Sequence, residues 1–374
     1  MRVALIQKNF HPNSVGLLSG LQARGHEVLN IAQYTTGTKS GADSIDVPTV
    51  GIPYGPVSEA ILGRRRKRLD KFGMPRLELL RRTLYEFRPQ VVIAKELRVP
   101  ALVGSVIGRT LGAKVVLMWD KPKRGRKHPI LATVARPLLP RLKFHTGHFG
   151  PIDRDVDFGL LGESRLLPYP VHPGPHPQRR LASLSSNSDR PVRIVTVGSL
   201  NNRRKRNPML LEAIEAAGVR DRVEITFVGL GDEDSRDFRA IRDLEARFGW
   251  PSSEIILNIS HREVLERLAE KDLFILPSRN EPFSVVVPEA MSRGLPVICS
   301  DTNGARVCFE DGVSGFVFPT DSVEALGQYI RQFVDDGSLL HDMALSAYER
   351  VIEELTPERW AERFEALVTD GHRR

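Results

Sequence analysis

Cysteine is nearly absent: the 374 residues contain two, Cys299 and Cys308. Two cysteines do not frame a disulfide-stapled fold, and their spacing is not that of a metal site, so both are read as reduced thiols. Aromatic residues are scarce, at 7%. None is interleaved with the arginine runs, which argues against the stacking platforms of a nucleic-acid-binding protein. No apolar run reaches the ~18–20 residues that a membrane-spanning helix needs. The opening Met1-Arg-Val-Ala-Leu-Ile-Gln is too short an apolar stretch for a signal peptide. It reads as a first strand, and a cytoplasmic protein is expected. With 41% hydrophobic and 27% charged residues, the composition is that of an ordinary globular protein. The length suits two domains of roughly 150–200 residues.

Charge is abundant and unbalanced. The net charge is +8, with basic residues clustered at Arg64–Arg68, Lys121 to Lys127 and Arg203 to Arg206. Such clusters attract phosphate or an anionic surface. The run Arg64–Arg68 is a candidate for peripheral contact with anionic lipid at the inner face of a membrane, at about 1 kcal/mol per basic residue near the surface. A solvated, arginine-rich surface accounts equally well for the first two clusters.

Short apolar runs alternate with helical patterns along the whole chain. Val3–Ile6, Glu27–Ile31, Val91–Ala94 and Lys114–Met118 read as strands, with helices over about Ser14–Arg24 and Leu102–Thr110. A proline-rich and then serine-rich stretch from Pro168 to Pro191 reads as a linker. The alternation then restarts, with strands at Arg193–Val197, Glu224–Val228, Ile255–Ile259, Leu273–Leu276 and Pro296–Cys299. Helices are expected at Met209–Ala217, Phe238–Phe248, Arg262–Lys271 and Pro288–Arg293. Alternation of this kind predicts an α/β chain of two doubly wound, Rossmann-like domains with parallel sheets. The expected division is 1–172, a linker at 173–191, 192–356, and a final amphipathic helix over 357–374 that returns to the first domain. Ligands of such sheets bind at the carboxyl ends of the strands, which predicts a cleft between the two domains.

The densest chemistry lies between Pro277 and Ile298. A strand ends at Pro277, a polar loop carries Glu281, and a short helix opening at Pro288 carries Glu289. Proline favours the first helical position. The backbone N–H groups of Phe283, Ser284 and Val285 then precede a helix start and suit a diphosphate. Glu281 and Glu289, as acceptor-only carboxylates, can take the hydroxyls of a sugar or ribose. On spacing alone, two glutamates eight apart are unremarkable, since a carboxylate in a first helical turn is favourable anyway.

The surrounding residues decide. Ser278, Glu281, Phe283, Glu289, Ala290, Met291, Gly294, Pro296, Val297 and Ile298, followed by Asn303-Gly-Ala305 and Asp311-Gly-Val-Ser-Gly-Phe-Val-Phe-Pro319, resemble the retaining GT-B glycosyltransferases of family 4, also called glycosyl transferases group 1. The likeness spans about residues 192–365 and is only an outline before them. It implies that Glu289 binds ribose hydroxyls, that Glu281 binds a hydroxyl of the donor sugar near the anomeric centre, and that the amides of Phe283, Ser284 and Val285 hold the sugar or diphosphate. Ser284 stands where the family usually has glycine.

The same resemblance gives roles elsewhere. After the first strand of the second domain, Gly198-Ser199-Leu-Asn-Asn-Arg-Arg204-Lys205 matches the family's diphosphate-neutralising segment at Lys205. Ser199 stands where arginine is expected, leaving Arg203 or Arg204 as substitutes. Gly229, Gly231, Ser260 and His261 fall on loops that line the nucleobase in the family. In the first half, Gly16 is the one glycine left of a two-glycine loop, and Asp120 follows the strand after which the family often carries histidine. Asp153-Arg-Asp155-Val-Asp157 has metal-binding spacing but reads as a surface loop, and His145 to His148 read as a loop and not as a metal site.

The expectation is therefore a metal-independent transferase with no cofactor. A nucleotide-diphosphate sugar of UDP or GDP type would be its substrate, a glycan, lipid or small molecule its acceptor, and no nucleic acid its partner. Two other readings stay open at this stage. One is a GT-B enzyme that uses a nucleotide sugar without ordinary glycosidic transfer, such as an epimerase or a coupling enzyme. The other is a binder of anionic polymers.

Overall fold

The computed structural model describes residues 1–9, 12–34, 47–55, 74–96, 98–119, 142–147, 164–178, 181, 190–250 and 253–370. The chain forms two compact units, one of Met1–Thr146, Val156–Pro170 and Pro357–Arg374, the other of Gly147–Asp155 and Val171–Thr356. The fold is α/β with two parallel sheets.

In the first unit, strands β1 (Arg2–Asn9), β2 (Glu27–Tyr34), β3 (Thr49–Gly51), β4 (Val91–Lys95), β5 (Lys114–Trp119), β6 (Leu142–His145) and β7 (Arg165–Leu166) form one sheet. Its order is β3-β2-β1-β4-β5-β6-β7, and every pairing is parallel. The central strands are apolar without alternation because both faces of a wound sheet are covered. All five residues of β4 are buried. Helices α1 (Val15–Ala23), α2 (Leu77–Phe87) and α3 (Val99–Thr110) connect them.

Residues Pro357–Asp370 also belong to this unit, as helix α10. Trp360, Phe364, Leu367 and Val368 recur on one face and are all buried, the stripe a core-facing helix requires. Phe144 of β6 meets Trp360 edge-on, with ring centroids 5.8 Å apart. At the other end Gly20 of α1 lies against the start of α10. A Cβ there would stand 2.0 Å from the Pro357 carbonyl oxygen. Glu365 fastens the pair, accepting from Arg24 Nε and Nη2 at 2.7 Å each and contacting His26 Nε2 at 2.7 Å.

The second unit repeats the plan. Strands β8 (Val192–Val197), β9 (Val223–Gly229), β10 (Glu254–Leu257), β11 (Leu273–Leu276), β12 (Val297–Ser300) and β13 (Gly315–Phe318) run in the order β10-β9-β8-β11-β12-β13. All its pairings are parallel as well. Helices α4 (Met209–Ala217), α5 (Arg236–Phe248), α6 (His261–Ala269), α7 (Val286–Met291), α8 (Val323–Asp335) and α9 (Gly337–Arg350) cover it. Two of these end where expected, at Gly218 and Gly249, each at φ +66, the left-handed conformation that stops a helix and costs glycine nothing. Asp272, fully buried at the head of β11, is held by Arg190 and Arg193 at 2.7 and 2.9 Å. These bonds set its carboxyl below the ordinary range against the opposing effect of burial.

Four details depart from the sequence reading. Helix α7 spans Val286–Met291, so Pro288 is its third residue and not its first. The first-turn amides have no intrahelical acceptor, so the missing N–H costs nothing there. Strand β10 ends at Leu257, because Asn258 turns the chain at φ +56. His145 closes strand β6 and is not in a loop. From Val171 the described part of the proline-rich stretch belongs to the second unit: Leu181 lies in its core, and the Gly174 carbonyl accepts from Tyr348 Oη at 3.1 Å.

Candidate active site

The strand order of the second unit reverses between β8 and β11, whose neighbours lie on opposite sides. At such a switch point the loops beyond the two carboxyl ends diverge and leave a crevice for a ligand. Here those loops are Gly198–Asn207 and Pro277–Val285, the two segments singled out by sequence. Lys205 and Glu281, 76 residues apart in the chain, meet there as an ion pair, Nζ to Oε2 at 3.0 Å. Glu281 is buried. Lys205 has three N–H donors, so a pair with one carboxylate oxygen leaves others for a ligand.

Glycine makes this approach possible. A Cβ on Gly198 would stand 3.0 Å from Lys205 Cγ and Cδ, and one on Gly229 would stand 1.9 Å from the Gly198 carbonyl oxygen. The two strand-end loops touch through backbone, and the stem of Lys205 packs against Gly198. Ser199 shapes the turn: its Oγ accepts from the Asn201 N–H at 3.3 Å and its carbonyl from the Asn202 N–H at 3.2 Å.

Arg204 joins the second loop. Its carbonyl accepts from the Arg279 N–H at 2.7 Å, and its guanidinium lies 3.5 Å from the Asn280 carbonyl. Arg206 and Arg279 both pair with Asp321, so of the basic run Arg206 is engaged at the rim and Arg203 is exposed. Glu281 is fixed by backbone on both sides: its N–H donates to the Thr302 carbonyl at 3.1 Å, and its carbonyl accepts from the Gly304 N–H at 2.8 Å. Thr302, Asn303 and Asn280, at φ +52, therefore position the glutamate. Sequence offered no signal for them beyond the Asn303-Gly-Ala run.

The segment Phe283–Val285 precedes α7, as expected. The amides of Ser284 and Val285 find no acceptor among the described residues. Helix α7 has only six residues, so what it offers an anion is these N–H groups more than a macrodipole.

Glu289, on α7, is buried, and His261, the first residue of α6, reaches it. His261 Nε2 lies 2.7 Å from Glu289 Oε1. A carboxylate only accepts, so the proton sits on Nε2. That hydrogen bond is the chief cause of a His261 pKa raised above the ordinary 6.5, against desolvation and the Arg293 charge. Ser260 caps α6 through a capping box with Glu263, which fixes the backbone from which His261 projects. Gly231 is tied to Asn258 by a reciprocal pair, its N–H donating to Oδ1 at 3.2 Å and its carbonyl accepting from Nδ2 at 2.7 Å. Sequence placed Gly229, Gly231, Ser260 and His261 together on loops. It did not foresee the bond from His261 to Glu289.

Gly16 of the first unit is explained by packing, since a Cβ there would stand 2.7 Å from the Pro170 carbonyl oxygen. Asp120, Arg64–Arg68, the Lys121–Lys127 cluster, Asp153–Asp157 and His148 lie outside the described residues. No helix among the described residues is long and apolar enough to cross a membrane.

The fold is that of the GT-B glycosyltransferases, with two Rossmann-like domains. A structure of Anabaena Alr3699/HepE in complex with UDP superposes with a TM-score of 0.71 at 16% identity, covering 99% of this chain and 100% of that one. Sucrose-phosphate synthase from Thermosynechococcus elongatus gives 0.68 at 18%, covering 99% and 98%.

Residues 181–350, most of the second unit, match the family described as glycosyl transferases group 1. Relatives by sequence include the D-inositol 3-phosphate glycosyltransferase of Geodermatophilus obscurus, 30% identical over 39% of this chain and 35% of that protein. Another is the lipopolysaccharide core biosynthesis glycosyltransferase LpsE of Rhizobium meliloti, 25% identical over 56% and 58%. The chain thus spans less than two thirds of the length of the curated relatives it matches.

Proposed function

We propose that this chain is a glycosyltransferase that moves a sugar from a nucleotide-diphosphate donor to an acceptor hydroxyl, with retention of anomeric configuration and without a metal ion. The observation that carries the reading is the Lys205–Glu281 pair at 3.0 Å, set at the switch point of a sheet within the segment similar to group 1 glycosyltransferases. A solved structure of the same fold holds UDP, which supports a nucleotide-sugar donor here.

In this reading the bond between the anomeric carbon and the diphosphate oxygen breaks while one to the acceptor oxygen forms on the same face. The acceptor's proton passes to the departing phosphate oxygen. No protein base is then required, and the demand shifts to stabilising negative charge on the diphosphate. Lys205, the Ser284 and Val285 amides, and Arg204 in place of the arginine missing at Ser199 meet that demand. Glu281 takes a hydroxyl of the donor sugar, and Glu289 takes the ribose. Gly229, Gly231 and the Ser260 region line the base. The acceptor, a glycan, lipid or small molecule, belongs to the first unit, with Asp120 as a candidate contact and Arg64–Arg68 as a candidate contact with an anionic membrane.

A thermal-shift screen of UDP- and GDP-sugars tests donor binding, because a ligand at 100 times its dissociation constant stabilises by about 2.7 kcal/mol. Product NMR then reads the anomer, and an inverted linkage overturns the mechanism. Activity is expected to survive EDTA. Loss restored by Mn²⁺ or Mg²⁺ refutes metal independence.

A further inference from the structure

The two glutamates of the site are held differently. Glu281 Oε2 is sealed from solvent and faces Lys205. Glu289 has one oxygen engaged and one open: Oε1 meets His261 Nε2 at 2.7 Å. Oε2 has no hydrogen-bond partner among the described residues, yet it is not sealed from solvent. His261 itself is held at the first position of α6 by the Ser260–Glu263 capping box, and its side chain is 45% exposed. The charged groups facing the imidazole are Glu289 and, more weakly, Arg293.

We propose that His261 is a positioning residue for Glu289, and that it acts on recognition of the nucleotide's ribose and not on the transfer step. The proposal rests on the assignment of Glu289 to the ribose. A carboxylate on a short helix can rotate about its terminal torsion, which is broad and roughly two-fold. The Nε2–H bond removes that freedom by claiming Oε1, and so aims the lone pairs of Oε2 outward. A vicinal diol then meets an acceptor already oriented, and less freedom is lost on binding. The Nε2–H supplies only a donor, so it engages Oε1 and leaves Oε2 to accept from the diol. His261 is too far along the chain from Glu289 for any local motif to impose the contact. It depends on α6 starting where the capping box places it.

The test compares UDP and GDP with their 2′,3′-dideoxy counterparts on the full chain, by calorimetry, for the parent, His261→Phe, His261→Gln and Glu289→Ala. Removing the ribose hydroxyls should weaken binding to the parent. His261→Phe keeps ring volume but no donor, and should weaken the ordinary nucleotide about tenfold while leaving the dideoxy analogue within about twofold. His261→Gln retains an N–H donor and should recover most of the loss. In steady state the effect should appear in the donor KM, with kcat kept.

Equal weakening of both nucleotides by His261→Phe would show a purely structural role and overturn the proposal. So would parental affinity for the ordinary nucleotide in that variant. Glu289→Ala separates the two layers. If it leaves the ratio of ordinary to dideoxy affinity unchanged, the ribose assignment itself fails. If it collapses the ratio while His261→Phe does not, only the inference about His261 fails.

Discussion

The two units are built on one plan and expose it unequally. Each is a parallel sheet that reverses at its first strand, with β1 flanked by β2 and β4, and β8 flanked by β9 and β11. In the second unit the loops at the reversal carry a lysine–glutamate pair, a histidine–glutamate pair and backbone amides that find no acceptor among the described residues. In the first unit the corresponding interior is a chain of side-chain hydrogen bonds in which one lysine is the charged member. Ser14 Oγ donates to Gln7 Oε1 at 3.1 Å, Gln7 Nε2 to Asn30 Oδ1 at 2.8 Å, and Lys95 Nζ to Ser14 Oγ at 3.3 Å. A shared topology thus fixes where a site can lie, while the residues at the loops decide which unit carries recognisable chemistry.

The sharpest way to break that contrast is Lys205→Ala. Removing the cation that the proposed function assigns to the diphosphate is expected to lower turnover by about 10²–10³-fold, read as kcat with folding checked by circular dichroism. A rate within about fivefold of the parent would make the basic run a solvated face and erase the asymmetry. Next comes Glu281→Ala beside Glu289→Ala. The first should mainly reduce kcat and the second mainly nucleotide affinity. Full activity in both variants removes the site from the second unit.

A substitution in the first unit should do the opposite. Gly20→Ala drives a methyl to 2.0 Å from the Pro357 carbonyl oxygen. It is expected to cost about 1–3 kcal/mol of stability, as overpacking does, with nucleotide affinity in the second unit unchanged. A denaturation midpoint equal to the parent's would contradict the packing account. Smaller still is Ser199→Arg. The turn needs only a light cap from Ser199 Oγ, so activity should stay within about fivefold of the parent.

The smallest effect is electrostatic. By NMR, His261 is expected to titrate above 6.5, and Glu289→Gln should bring it back, since that carboxylate is the main cause of the shift. The sign follows from linkage: with the folded pKa raised, the pair's contribution is fully present below about pH 6.5 and fades as pH climbs through the folded value. An unmoved titration in Glu289→Gln would place the cause elsewhere.

Sequence revealed the alternation because buried parallel strands are short, continuous apolar runs, as in Val91–Ala94 and Leu273–Leu276. It missed β3, β6, β7 and β13, of two to four residues, since such lengths carry little or no period. Helices α2, α8 and α9 were overlooked, although Ser322 and Asp336 cap the last two by accepting from backbone N–H groups, a signal available to a closer reading. The site residues Lys205, Glu281 and Glu289 were legible as a motif. Their contacts were not, because Lys205 meets Glu281 and His261 meets Glu289 across the sheet. Only the finished strand order brings those loops together.

The discontinuity of the first unit carries a consequence for synthesis. Helix α10 supplies Trp360 and Phe364 to a core whose other members precede Pro170. On the ribosome those members emerge first, yet they wait for α10 while the whole second unit is made. Domains fold as units and in order of emergence when each is complete, so the expected order here is reversed, with the later unit closing before the earlier one. Chains truncated before Pro357 and released from the ribosome should show protease resistance for 190–350 and not for 1–119. A resistant first segment at that stage would mean that the early strands close without their final helix.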